Sequence, residues 1–336
     1  MLTIFVEKCD RWRIMSCAAD DFSMARSAMN FSSAFGFTTM LPSAQALVTV
    51  DPTAYKSAFN NTPLGFKHYL HQLPMFQPEA LAELAKKYGE RPADYYVSNS
   101  APTPGTKFFD VKEKSLKPEE AVAHLATAPT RVLLKRPENY EAGFQELLDK
   151  LFEKVVELRG GLKGEKVVRL ESAVFISSAS STTPFHFDPE INHFFQIEGA
   201  KHYHVYSPRA VRESELEDFY VQGKVEIGQV DLAIRDKSLE HVFDLMPGCG
   251  FHQPQDAPHW VQTGTERSVS YAFVYETDAS RARGRVFAAN HYLRKLGVNP
   301  QPPGATSGDN AKSSVMKVVV PVRGRIVRNL KRLRSR

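Results

Sequence analysis

The chain has 336 residues, 42% hydrophobic and 24% charged. That is the balance of an ordinary globular protein, long enough for one large domain with attachments. Its three cysteines, Cys9, Cys17 and Cys249, form no CxxC pair, which argues against a disulfide scaffold or a zinc finger and suits a reducing compartment. The net charge of +5 is unevenly placed: eight cations and no acid lie between Lys317 and Arg336, which leaves the rest of the chain at −3.

No apolar run approaches the roughly 18 residues that a membrane-spanning helix needs. The start, MLTIFVEKCDRWRIMSC, shows no clean hydrophobic core or small-residue cleavage site, so a cytoplasmic protein is expected. Residues 1–45 carry no assignable pattern. ALVTVD (46–51) reads as a strand, PEALAELAKKYG (78–89) as a helix opened by proline and stopped by Gly89, and PEEAVAHLA (118–126) as a shorter helix. In 137–161, Phe144, Leu147, Leu148, Leu151, Phe152, Val155 and Leu158 recur at helical spacing before Gly160 and Gly161.

From Val167 the period becomes strand-like: VVRLESAVFISS, HFFQI, HYHVY, HVFDL, HWVQT and RSVSYAFVYE, separated by turn residues. Helices in front of many short strands predict an antiparallel barrel or sandwich with helical support, mainly β, and no internal repeat is visible. Residues 298–314 (VNPQPPGATSGDNAKSS) read as a flexible linker. Residues 315–336 read as a basic amphipathic tail suited to an anionic partner: RNA, a ribosome or a membrane surface. The acidic body and the lack of a helix-turn-helix or finger pattern weigh against a nucleic-acid-binding protein working through that tail.

The densest chemistry lies in TPFHFDPEINHFFQIEGAKHYHVY (183–206). Residues two apart on a strand share a face, so His186 and Asp188 project together, with Phe185 and Phe187 opposite. An imidazole and a carboxylate are two-thirds of the 2-His-1-carboxylate triad that holds non-haem Fe(II) and leaves open positions for co-substrate and O₂. Alone this pair is weak, because about half of such chains contain a His-x-Asp by chance. The third ligand must come from a distant strand. His259, after the turn in CGFHQPQDAPHWVQTG (249–264), is the leading candidate, His252 the second and His241 the third. His202 and His204 open a different metal pattern that lacks its glutamate, and are read as bystanders. His193 is read as packed or at the surface, and His68, His71, His124 and His291 carry no recognisable context.

The segment Thr183–Pro208 resembles the jumonji-C (cupin-like) branch of the Fe(II)/2-oxoglutarate-dependent oxygenases. It is especially similar to the asparaginyl hydroxylase that modifies hypoxia-inducible factor. Thr183, Pro184, His186, Asp188, Asn192, Gly199 and Lys201 stand at that family's intervals. The resemblance spans about 80 residues, from 183 to 264. It implies a double-stranded β-helix (jelly-roll, cupin-like) core with flanking helices, in a domain over 46–297 whose β core runs from about 167 to 276. It further implies iron held by His186, Asp188 and His259, with Lys201 and Thr183 on the far carboxylate of 2-oxoglutarate and Asn192 beside the co-substrate. The family's tyrosine upstream and second asparagine downstream have no counterpart here; Arg169, Ser270 and Tyr271 are the candidates to replace them.

The expected activity is therefore hydroxylation of a C–H bond by O₂, with a protein or peptide side chain as substrate and a small-molecule or natural-product intermediate as the alternative. A homodimer is a further expectation. A non-catalytic cupin-like binding protein with a vestigial metal site is the alternative of another class, against which the complete set His186, Asp188, Lys201 and His259 weighs.

Overall fold

The computed structural model describes residues 15–16, 47–108, 116–223 and 227–334. The unassigned segment 1–45 lies outside them, apart from a two-residue strand, β1 (Met15–Ser16). Four short strands follow: β2 (Val48–Thr49), β3 (Leu64–His68), β4 (Tyr95–Ser98) and β5 (Arg131–Lys135). Among and after them come helices α1 (Pro52–Ala58), α2 (Pro78–Lys87), α3 (Pro118–Ala123) and α4 (Ala142–Arg159). Eight further strands run β6 (Val167–Ser177), β7 (Thr182–His186), β8 (Ile191–Glu198), β9 (Lys201–Tyr206), β10 (Glu240–Leu245), β11 (Cys249–Gln253), β12 (His259–Thr263) and β13 (Ser268–Thr277). Helix α5 (Glu213–Tyr220) lies between β9 and β10, and α6 (Asp278–Lys295) and α7 (Asp309–Arg334) follow β13.

The eight strands β6–β13 pair antiparallel in two sheets. One has the order β10-β9-β12-β7, the other β11-β8-β13-β6. Apart from β9 and β10, which are neighbours in one sheet, consecutive strands alternate between the two sheets, as in a double-stranded β-helix, so the mainly-β jelly-roll expectation holds. The second sheet is widened at one edge by β3 and β2 and at the other by β5 and β4.

Strand parity sorts the side chains. In β8, Phe194 turns into the barrel with Tyr203, Val205, Phe251 and Val261, while Ile191, Phe195 and Ile197 turn out onto the helical layer. Both faces are covered, which is why β8 is buried almost throughout and shows no polar alternation. The outer layer is built by α4, whose Phe144, Leu147, Leu148, Leu151 and Val155 pack with Ile176, Tyr271 and Phe273. Each such side chain contributes about 1.5–3 kcal/mol on burial. Gly160 ends α4 in the left-handed region at φ 80°, at the predicted stop.

The C-terminal segment departs from expectation. The predicted linker 298–314 ends early, because α7 begins at Asp309 and its residue Ser313 is buried, accepting a hydrogen bond from Arg285 Nε at 2.9 Å. The helix is anchored by Met316, which packs on Val221, Ala288 and Ala289. DNAKSS has no apolar period, so its helicity comes from this tertiary contact. Val315, Val318 and Val322 on another face of α7 are exposed. No described helix is long and apolar enough to cross a membrane.

Candidate metal centre

Strands β7 and β12 lie side by side at the barrel wall, with His186 directly opposite His259. The register then shifts, so that Val261 faces Thr183: two residues of β12 span three of β7. This bulge brings Thr183 and His186, three apart and ordinarily on opposite faces, to the same interior. Phe185 and Phe187 point the other way into an apolar cluster with Leu216 and Phe219 of α5.

His186, Asp188 and His259 each offer a ligand atom within 4.8 Å of the others. His186 Nε2 is 3.7 Å from one Asp188 carboxylate oxygen, and His259 Nε2 is 3.7 Å from the other. The tautomers follow from the hydrogen bonds. His186 Nδ1 lies 2.7 Å from the Pro184 carbonyl and His259 Nδ1 lies 3.1 Å from the Ala257 carbonyl. A carbonyl only accepts, so both Nδ1 atoms carry a proton, and both Nε2 atoms are turned to the Asp188 carboxylate. The Gln253 carboxamide is 3.2 Å from His259 Nδ1 and accepts from Tyr203 Oη at 2.9 Å. Burial, and secondarily the neighbouring His186, hold the His259 pKa well below its ordinary value, so this ring is neutral and ready to ligate. Two imidazoles and one carboxylate on one face fit a divalent first-row ion with open positions.

The other histidines are accounted for. His252 points to the helical side, where its Nε2 accepts from the Asn60 N–H at 2.8 Å and its Nδ1 faces the Asn192 carbonyl at 3.3 Å, so neither nitrogen is available. His193 is buried on that same side, 2.7 Å from Tyr55 Oη and stacked on Phe273. His202 and His204 lie on the outer face, paired with Asp244 at 2.6 Å and Glu240 at 2.9 Å, and His204 stacks on Trp260. His241 does not join the ligand group.

Beyond the centre, Lys201, Tyr203 and Val205 are the buried, inward residues of β9. Lys201 is 5% exposed and donates to Ser270 Oγ at 2.7 Å, with the faces of Phe194 and Phe175 at 5.2 and 5.7 Å. Ser270 donates in turn to Gln196 Oε1 at 2.7 Å. Burial, and then the charge of Arg131, push the Lys201 ammonium pKa down to about 7. Asn192 is buried with its Oδ1 lacking a hydrogen-bond partner. Of the candidates to replace the family's upstream tyrosine and downstream asparagine, Ser270 reaches Lys201. Arg169 is occupied by Glu190 and by Glu171 at 3.0 Å, and Tyr271 packs among Phe76 and Phe144 in the outer layer. Arg131, which sequence reading passed over, enters from β5 and donates through Nη1 to Thr183 Oγ1 at 3.1 Å. No local signal marks it, since its partner is 52 residues away.

Phe108 covers one side of the centre, its ring 4.6 Å from that of His186. The segment before it runs beside β7, where Phe185 N–H donates to the Pro104 carbonyl at 2.9 Å.

No family model matches the chain, and no curated protein matches it. Among solved structures, the chain is similar to the X-ray structure of E. coli YcfD at 15% identity and a TM-score of 0.47, covering 81% of this chain and 68% of that one. A structure of YcfD, a ribosomal oxygenase from Escherichia coli, in complex with cobalt and 2-oxoglutarate aligns at 16% identity and a TM-score of 0.46, covering 82% and 67%. A complex with cobalt and succinic acid aligns at 16% identity and 0.45, with the same coverage. These are structures of a bacterial ribosomal oxygenase, not of the hypoxia-factor hydroxylase to which the sequence motif is similar. Likeness at this distance leaves the chemistry of this chain to its own residues.

Proposed function

We propose that the chain is an Fe(II)- and 2-oxoglutarate-dependent dioxygenase that hydroxylates a C–H bond. The observation that carries this reading is the convergence of His186, Asp188 and His259, both Nε2 atoms facing the carboxylate, inside the barrel that also buries Lys201. His186, Asp188 and His259 hold the iron. Bound Fe(II) and 2-oxoglutarate supply the oxidising chemistry, in which O₂ is consumed and the co-substrate leaves as succinate and CO₂.

The protein's part is to bind, orient and exclude water. A dicarboxylate that chelates the metal through its 2-oxo acid end places a second carboxylate in the barrel, where an unpaired charge is costly. Lys201 and the Thr183 hydroxyl answer that charge, and the free Oδ1 side of Asn192 lies on the same interior. Phe194, Tyr203, Val205 and Phe251 keep the surroundings apolar.

A protein or peptide side chain is the proposed substrate class, following the family that the 183–201 motif resembles. Two assays test the reading. Succinate release from 2-oxoglutarate should require Fe(II) and O₂ and fall at least about a thousandfold in His186→Ala and His259→Ala, the scale of losing a transition-state interaction of about 4 kcal/mol. Peptide and small-metabolite pools then compete as stimulators. Stimulation by metabolites alone would replace the peptide reading, and absence of succinate with every pool would remove the enzyme reading itself.

A further inference from the structure

Two cations meet at the inner end of this pocket, and among the described residues neither has a carboxylate partner. Lys201 is nearly sealed from solvent, and its hydrogen bond goes to the neutral Ser270 hydroxyl. Arg131, the first residue of β5, reaches across the sheet junction to Thr183 on β7. Its other partner is the Tyr96 hydroxyl on β4, and its Nε is buried with no acceptor. Buried cations ordinarily sit against acids because desolvation is costly. An arrangement of two positive groups, two hydroxyls and no acid is completed by an anion.

We propose that Arg131 is the second cation of the co-substrate pocket, and that Arg131 and Lys201 together hold the distal carboxylate of a dicarboxylic 2-oxo acid. This rests on the dioxygenase reading and adds to it a residue and a selectivity. Thr183 is the hinge of the arrangement: its hydroxyl accepts from Arg131, so its own proton is free for the carboxylate. Arg131 presents planar donors, Lys201 a single ammonium, and a carboxylate has two oxygens and about four acceptor sites. The pair therefore selects charge at the far end of the ligand as well as length. A 2-oxo acid ending in a methyl group would chelate the metal equally well and leave both cations unanswered.

The test uses the full-length protein loaded with Mn(II), which needs no turnover, and calorimetric titration with two ligands. 2-Oxoglutarate carries the distal carboxylate, and 2-oxopentanoate replaces it with methyl at the same chain length. Wild type should prefer 2-oxoglutarate. Arg131→Met should weaken 2-oxoglutarate by about ten- to a hundredfold while 2-oxopentanoate changes by less than about threefold. Lys201→Met should show the same pattern. Arg131→Lys keeps the charge and should keep most of the preference, and it decides the matter if the methionine variant does not fold. Equal weakening of both ligands in Arg131→Met would make Arg131 a brace for Thr183 and overturn the proposal. So would unchanged 2-oxoglutarate affinity in Arg131→Met alongside a loss in Lys201→Met; in both cases the dioxygenase reading stands. Failure of the wild type to bind either ligand would remove that reading, and the proposal with it.

Discussion

Both imidazoles of the centre owe their orientation to a carbonyl two residues earlier in their own strand, Pro184 for His186 and Ala257 for His259. Gln253, itself held by Tyr203, lies with its Nε2 3.2 Å from the same His259 nitrogen and limits the turn of the ring. Outer partners of this kind set tautomer and ring angle, so Gln253→Leu should weaken metal binding by about ten- to a hundredfold, read by competition with a coloured chelator. Unchanged affinity would reduce Gln253 to packing. Lys201 makes the pocket sensitive to pH. Its pKa of about 7 lies below the ordinary 10.5, through burial and then Arg131, and a bound carboxylate restores the charged form. Binding above pH 7 therefore takes up a proton, and 2-oxoglutarate affinity should fall by up to about tenfold per pH unit above 7. Lys201→Gln should flatten that slope. For the ligand-free protein the sign is reversed. Between about 7 and 10.5 the unfolded chain binds the extra proton, so this group adds stability as pH rises.

At the scale of elements, the turn that carries the chain from β8 in one sheet to β9 in the other fixes which residue of β9 faces inward. Gly199 turns there with φ 67°, and a Cβ would lie 2.2 Å from the Arg267 carbonyl oxygen. Gly199→Ala should cost at least about 2 kcal/mol in urea unfolding and disturb Lys201 first, since the lysine is two residues on. Such local features were open to sequence reading: the His186–Asp188 spacing, the Gly199–Lys201 spacing and the apolar stripe of α4 each lie within one element or one turn. Choosing His259 over His252 was harder. The two flank the Pro254–Pro258 turn, and only the pairing of β11 with β8 shows that His252 faces the helices. Arg131 was out of reach because its meaning comes from Thr183 on another strand. Helix α5 was not foreseen, and α6 was expected only as unplaced helical support after the β core, for a related reason. Their charged residues find partners elsewhere in the fold, as Arg294 of α6 does with Glu217 of α5 at 2.9 Å, and leave only a faint apolar stripe.

At the scale of the molecule, the C-terminal helices are tied to the loops of the candidate metal centre. Asp256, fully buried in the turn before His259, is held by Arg283 of α6 and by Tyr220 of α5 at 2.7 Å. Its backbone N–H donates to the carbonyl of Asp188 at 2.9 Å. Arg283→Met would strand a buried carboxylate, so it should cost about 3–5 kcal/mol and weaken metal binding with it, both read by metal-dependent thermal unfolding. Loss of stability without loss of metal affinity would uncouple the helices from the site. The dioxygenase reading as a whole is tested most directly by turnover of 2-oxoglutarate with Fe(II) under ¹⁸O₂, followed by the mass of the succinate formed. The wild type should put one labelled oxygen into succinate, and His259→Ala should form none above background. Unlabelled succinate, or the same yield from both proteins, would contradict it.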